Sequence, residues 1–172
     1  MSKKSFDLNF VEKHIRKKSF GVLSTVTTKG NSHSSGVLYG VSSKDSKFYL
    51  YCLTGKNLFK TRNIQNNPNV SFVITFPHYW LRFVPASTIY FQASAEVVPF
   101  NDKGALTAFE QKRILQMMIN DAQSPNVDYQ PVFIRLKPKG KIHVYGLGFS
   151  LRKLRDEHTK VEYSVEIPQE RK

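Results

Sequence analysis

The residues best suited to chemistry lie in one run, Leu53-Thr54-Gly55-Lys56-Asn57-Leu58-Phe59-Lys60-Thr61-Arg62-Asn63-Ile64-Gln65-Asn66-Asn67-Pro68. A strand rich in aromatic residues, Lys47 to Leu53, runs into Thr54-Gly55, which breaks it. Asn57 is placed to cap a short helix from Leu58 to Gln65 with Leu58 and Ile64 turned inward. Asn66-Asn67-Pro68 ends it, because proline disfavours helical geometry in the residue before it. The start of such a helix presents unpaired N–H groups and the positive end of a dipole, which together suit an anion. Lys60 and Arg62 fall in its first two turns, and the Thr54 hydroxyl lies at its mouth. The chemistry on offer is the holding of a phosphate. A solvated basic helix joining two strands has the same pattern, and these residues alone leave both readings open.

Other chemistries find less support. No Ser-His-Asp, paired-carboxylate or HExxH arrangement is present, and His14, His33, His78, His143 and His158 are scattered without ligand spacing, so no metal is assigned. His33 reads as an exposed strand residue. Cys52 is the only cysteine, which excludes an intrachain disulfide, a thiolate cluster and a CxxC pair. Its place in an aromatic strand marks it as a small core residue rather than a nucleophile.

The elements that must position the phosphate run follow from length and pattern. A chain of 172 residues that is 40% hydrophobic fits a single domain, 1–172, able to bury a core without metal or disulfide. Met1 to Phe20 alternates basic and apolar residues without the continuous apolar run of a signal peptide, and no stretch approaches a membrane span; a cytoplasmic, reducing location is expected. The net charge of +13 points to anionic partners, among them a phosphorylated cofactor, an acidic substrate, nucleic acid or lipid. The cations are spread from Lys3 to Lys172 rather than gathered, which disfavours nucleic acid.

Asp7 or Asn9 can cap a first helix through about Lys18, with Phe10, Val11, His14 and Ile15 on one face and Glu12, Lys13, Arg16 and Lys17 on the other. Phe20 to Thr27 and His33 to Val41 read as strands joined by the turn Thr28-Lys29-Gly30-Asn31, with Gly36 and Gly40 admitting close backbone approach. After the short helix, Val70 to Phe76 and Ser87 to Val98 alternate as strands. Asn101 to Ala122 holds a helix whose Leu106, Phe109, Leu115, Met118, Ile119 and Ala122 are core. Val132 to Leu136 and Ile142 to Val144 read as two strands joined by a turn at Lys137-Pro138-Lys139-Gly140. Ser150 is placed to cap Leu151 to Glu157, and Val161, Tyr163, Val165 and Ile167 alternate as a last edge strand. The expected fold is mainly β with flanking helices: a closed or split antiparallel barrel with three helices, for which an OB-type barrel is the look-alike.

Between the fourth and fifth strands, Pro77-His78-Tyr79-Trp80-Leu81-Arg82-Phe83-Val84-Pro85-Ala86 carries the only Trp. Trp80 and Arg82 set aromatic surface beside a cation, a combination suited to stacking a planar anionic substrate. Plugging the barrel end or a dimer contact is the other reading of this loop.

Four segments, Gly21-Val22-Leu23-Ser24-Thr25-Val26, Gly30-Asn31-Ser32-His33-Ser34-Ser35, Phe48-Tyr49-Leu50-Tyr51 and Lys60 to Val70, resemble in order and spacing the pyridoxamine 5′-phosphate oxidase-like, FMN-binding split-barrel family. The resemblance covers about the first 100 residues. It implies a homodimer with FMN at the subunit interface, Lys60 as the phosphate lysine, Thr54 as a hydroxyl donor, and Ser34, Ser35, Gly36 and Val37 along the isoalloxazine, mainly through backbone. Where the vitamin-making oxidases carry Ser-Arg before the phosphate lysine, this chain has Leu58-Phe59, leaving Lys56 or Arg62 to supply the missing cation. The substrate-binding Arg and His motif of those enzymes is also missing, so oxidation of pyridoxamine phosphate itself is not expected. The resemblance implies an FMN-dependent oxidoreductase acting on a small organic substrate, with a nicotinamide or deazaflavin as hydride partner. The alternatives are a flavin or haem carrier without turnover and a single-stranded nucleic-acid binder stacking bases on Tyr49, Tyr51 and Phe91; the alternative cofactors to FMN are a deazaflavin, FAD or haem.

Overall fold

A computed structural model describes residues 6–78, 83–124, 130–156 and 160–167. The chain runs α1 (Leu8–Lys17), β1 (Phe20–Val26), β2 (Ser32–Val41), β3 (Leu50–Gly55), α2 (Phe59–Asn66), β4 (Asn69–Phe76), β5 (Ser87–Pro99), α3 (Lys103–Glu110), α4 (Arg113–Ala122), β6 (Pro131–Tyr145), α5 (Leu151–Asp156) and β7 (Glu162–Glu166). The strands lie in the order β3-β2-β1-β4-β5-β6-β7, and a further β3–β6 ladder closes the first six into an antiparallel barrel. β7 is an added strand on β6 beyond the ring.

Alternation along the strands builds the core. Leu23, Val37, Tyr39, Leu50, Cys52, Phe72, Ile74, Ile89 and Phe91 turn inward and are buried together. α1 covers the barrel at the end of the β1–β2 ladder where Phe20 meets Leu38, and α2 covers the end where Thr25 meets His33. Asp7 caps α1 as expected, its Oδ1 accepting from the Phe10 N–H at 2.9 Å. Val11 and Ile15 are fully buried. Glu12, expected on the polar face, is buried as well because Arg16 pairs with it at 2.7 Å.

α3 and α4 pack outside the barrel on Tyr51, Leu53 and Phe133. They are two helices rather than the one expected over Asn101 to Ala122. At the break, Gln111 donates to the Val41 carbonyl at 3.0 Å and Lys112 to the Lys18 carbonyl and the Ser19 hydroxyl, bonds that fasten the pair to the end of α1 and to β2. The helices number five among the described residues, against the three named for the barrel; α5 stands where Leu151 to Glu157 was expected, and the second outer helix is the unforeseen one. The Gly40 position is explained by the same packing, since a Cβ there would stand 2.7 Å from the Ala108 carbonyl oxygen.

The expected turn at Lys137-Pro138-Lys139-Gly140 is instead part of one long strand, β6. The β5–β6 register shifts between Phe91 and Gln92, and Gly140 takes φ +65° to absorb the extra residues. Pro138 is tolerated because β6 has no second neighbour there, the β3 ladder ending at Leu136 and the β7 ladder starting at Lys141.

Candidate functional site

α2 starts one residue later than expected. Leu58 is its N-cap, with no side-chain hydrogen bond, and Asn57 does not cap it. The Asn57 carbonyl instead accepts from Arg62 Nε at 3.1 Å and Nη2 at 2.9 Å. With the helix phase shifted, Leu58 is exposed rather than inward, Phe59 is 68% exposed, and Ile64 alone of the expected pair enters the core. Two buried bonds pin the helix across the barrel mouth: Thr61 Oγ1 donates to the Gly55 carbonyl at 2.8 Å, and Asn63 Nδ2 to Thr25 Oγ1 at 3.0 Å.

Beneath this helix the inner wall is polar. Thr54 follows Leu50 and Cys52 on the inward side of β3, while His33 and Ser35 precede Val37 and Tyr39 on the inward side of β2. Thr54 Oγ1, Ser35 Oγ and His33 Nδ1 are buried without a hydrogen-bond partner. Such groups cost about 1–3 kcal/mol each when left unmade, so three at one mouth are a feature to be explained. Burial pushes the Cys52 thiol up to about 12, and the charge of Lys60, a half-buried residue of α2, opposes that shift.

The sequence-derived cofactor residues therefore divide. Thr54 and Ser35 lie on the inward wall beneath α2, and Lys60 is carried on α2 itself. Ser34 and Gly36 lie on the opposite face of β2, where Ser34 Oγ meets Ser24 Oγ at 2.7 Å and the Phe20 ring lies 2.8 Å from where a Gly36 Cβ would be. Val37 is in the core. Arg62 is exposed, its guanidinium bonded to the Asn57 carbonyl and stacked 5.2 Å from the Phe59 ring centroid. Backbone contacts remain open to this stretch of β2, because its ladder with β3 begins only at Tyr39. Trp80 and Arg82 lie outside the described residues.

Two features escaped the sequence. His33 is half-buried rather than exposed, with its ring 6.1 Å from Phe59; its place two residues before Ser35 on an alternating strand was the available signal. On the outer wall His143 stacks on Tyr90 at 4.8 Å and its Nδ1 meets Ser164 Oγ at 3.0 Å, a cross-strand arrangement that sequence spacing does not announce. The proposed base-stacking platform is overturned: Phe91 and Tyr51 are buried, at 1% and 3% exposure, and only Tyr49 is partly accessible.

The family model described as pyridoxamine 5′-phosphate oxidase matches residues 9–144. Among solved structures, the chain is similar to the haem storage protein HutZ of Vibrio cholerae, at 20% identity and TM-score 0.64 over 83% of this chain and 98% of that one. It is also similar to a haem-binding protein of Mycobacterium smegmatis, at 16% identity and TM-score 0.67 over 96% of this chain and 60% of that one. A third is a structure described as a pyridoxamine 5′-phosphate oxidase from Listeria innocua, at 19% identity and TM-score 0.57 over 79% and 95%. No curated protein matches the sequence. At these identities the structural likenesses establish the fold, and the family match, which extends from α1 to the end of β6, makes the chain a member of the pyridoxamine 5′-phosphate oxidase family.

Proposed function

We propose that this chain binds FMN beneath α2 and works as a flavin-dependent oxidoreductase on a small organic substrate. The observation that carries the reading is the pair of unpartnered hydroxyls, Thr54 and Ser35, on the inward wall beneath the helix that bears Lys60. Lys60 would meet the phosphate as a point charge, Thr54 Oγ1 and Ser35 Oγ would donate hydrogen bonds to it or to the ribityl chain, and the open edge of β2 would offer backbone groups to the ring. When bound, FMN supplies hydride transfer at its ring, so the protein's task is to hold, orient and shield. Phe20, Tyr90 and Phe59 leave apolar surface exposed, which supports a homodimer as the working form.

The purified protein is expected to show flavin absorbance, or to gain it on titration with FMN, and to bleach under reduced nicotinamide without oxygen. A colourless protein that takes up no FMN contradicts the reading.

A haem carrier is the second reading, favoured by one observation. Ser164 fixes the His143 ring through Nδ1, the kind of orientation that readies the other ring nitrogen for iron, and Tyr90 stacks beside it. Haem titration of wild type and His143→Ala decides it: a Soret band that shifts with the variant supports this reading, and one indifferent to it does not.

A further inference from the structure

Between Leu136, where the β3 ladder ends, and Lys141, where the β7 ladder begins, the wall of the barrel is only partly paired. A cleft of about 480 Å³ opens over this gap. Lys47, Lys137 and Lys139 project into it beside the Tyr49 ring and Ser94, and Leu8 and Ile167 close its apolar side; none of its lining residues is acidic. Neighbouring cations are already satisfied, Lys141 by Glu166 at 3.5 Å and Arg135 by Glu96. The charge of Lys137 is felt at Glu96, but the hydrogen bond to that carboxylate belongs to Arg135. Among the described residues Lys47 and Lys137 form no ion pair, and Lys139 reaches only Asn69 Oδ1, at 3.4 Å.

Three ammonium groups sharing one concave site repel one another unless an anion sits among them. The volume suits a molecule of nucleotide size, and a mixed wall of lysines with one aromatic ring suits a phosphate joined to a planar body. We propose that this cleft is a second ligand site, for a phosphorylated organic anion whose phosphate meets Lys47, Lys137 and Lys139 and whose planar part lies on Tyr49. It is built from other residues than the mouth beneath α2 and does not rest on the flavin reading. An extended nucleic acid fits it less well, because Leu8 and Ile167 bound the cleft.

The test is calorimetric titration of the full chain, saturated with FMN where FMN binds, using ADP and adenosine as probes. ADP is expected to bind and adenosine not to. Lys137→Gln/Lys139→Gln is expected to weaken ADP roughly tenfold or more, the scale of a lost charge-assisted contact. Lys29→Gln/Lys103→Gln, which removes the same charge from exposed sites elsewhere, and Lys60→Ala are expected to leave ADP affinity within about twofold. All substituted lysines at the cleft are exposed, and thermal melting verifies that each variant is folded. The proposal is overturned if ADP does not bind, if the two double variants weaken it equally, if Lys60→Ala abolishes binding, or if a single-stranded oligonucleotide displaces ADP with a steep salt dependence.

Discussion

The two mouths of the barrel are closed by helices of similar length and finished in opposite ways. At the α1 mouth packing and one ion pair dominate: Val11 and Ile15 are fully buried, the Tyr39 hydroxyl donates to the Ile15 carbonyl at 2.7 Å, and Arg16, whose Nη2 is buried without a hydrogen bond, keeps the Glu12 carboxylate 2.7 Å away. At the α2 mouth Thr61 and Asn63 pin the helix, yet Thr54, Ser35 and His33 are left with buried atoms unpaired beneath the helix that carries Lys60. One end leaves a single cationic atom without a hydrogen bond beside its own carboxylate, and the other leaves three neutral polar atoms with no partner, the feature on which the proposed anion site rests. The lesson is that a ligand site can be located by what a fold leaves unsatisfied, even where a helix covers it.

The comparison predicts that damage at the two ends reads out differently. Ile15→Ala should have the largest effect, lowering stability by about 2–5 kcal/mol through the lost burial and the cavity left behind. In the variant that remains folded FMN affinity should be unchanged, which paired thermal melts and flavin titrations would show. Lys60→Ala should do the reverse, weakening FMN by about 1.5–3 kcal/mol while the ligand-free melting temperature stays put. Thr54→Val sharpens the contrast further. Replacing an unpartnered buried hydroxyl with a methyl group should raise ligand-free stability by about 1 kcal/mol while FMN binds more weakly, a trade with no counterpart at Tyr39, where removing the hydroxyl should only destabilise.

The smallest effect lies on the outer wall, away from both mouths. Arg135 hydrogen-bonds Glu96 and holds its carboxyl below the usual range. A carboxylate with a lowered folded-state pKa adds stability above its unfolded value, about 4.3, and loses it as pH falls through the folded one. Glu96 is largely exposed, so the contribution is small. Glu96→Gln should flatten only the acid limb of a stability profile taken from about pH 7 to about pH 3, with FMN affinity at pH 7 unaffected.

Much of this architecture is legible in the chain because its signals are local. Gly30, with φ +82°, turns β1 into β2 as the Thr28-Lys29-Gly30-Asn31 pattern requires; Pro68 ends α2; Ser150 accepts from the Lys153 N–H at the start of α5. The alternation read over Val70 to Phe76 holds as well, with Val70, Phe72 and Ile74 in the core. What was illegible depends on partners distant in sequence. Pro138 and Gly140 spell a turn until β5 pairs with the strand on both sides of them and takes up the bulge. Leu58 looks inward until the helix is seen to begin at Phe59. The site shows the same division: the inward side of Thr54 and Ser35 follows from alternation along their strands, which is local, whereas His143 gains its fixed orientation from Ser164, twenty-one residues away.

The central claim is that the α2 mouth recognises a phosphate. It is tested most directly by titrating the ligand-free protein with FMN and with riboflavin under the same conditions, since the two differ only in that group. The account predicts that FMN binds at least tenfold more tightly, the scale of one charge-assisted contact, and that Lys60→Ala removes most of the difference. Equal affinities for the two flavins in the wild-type protein would contradict it.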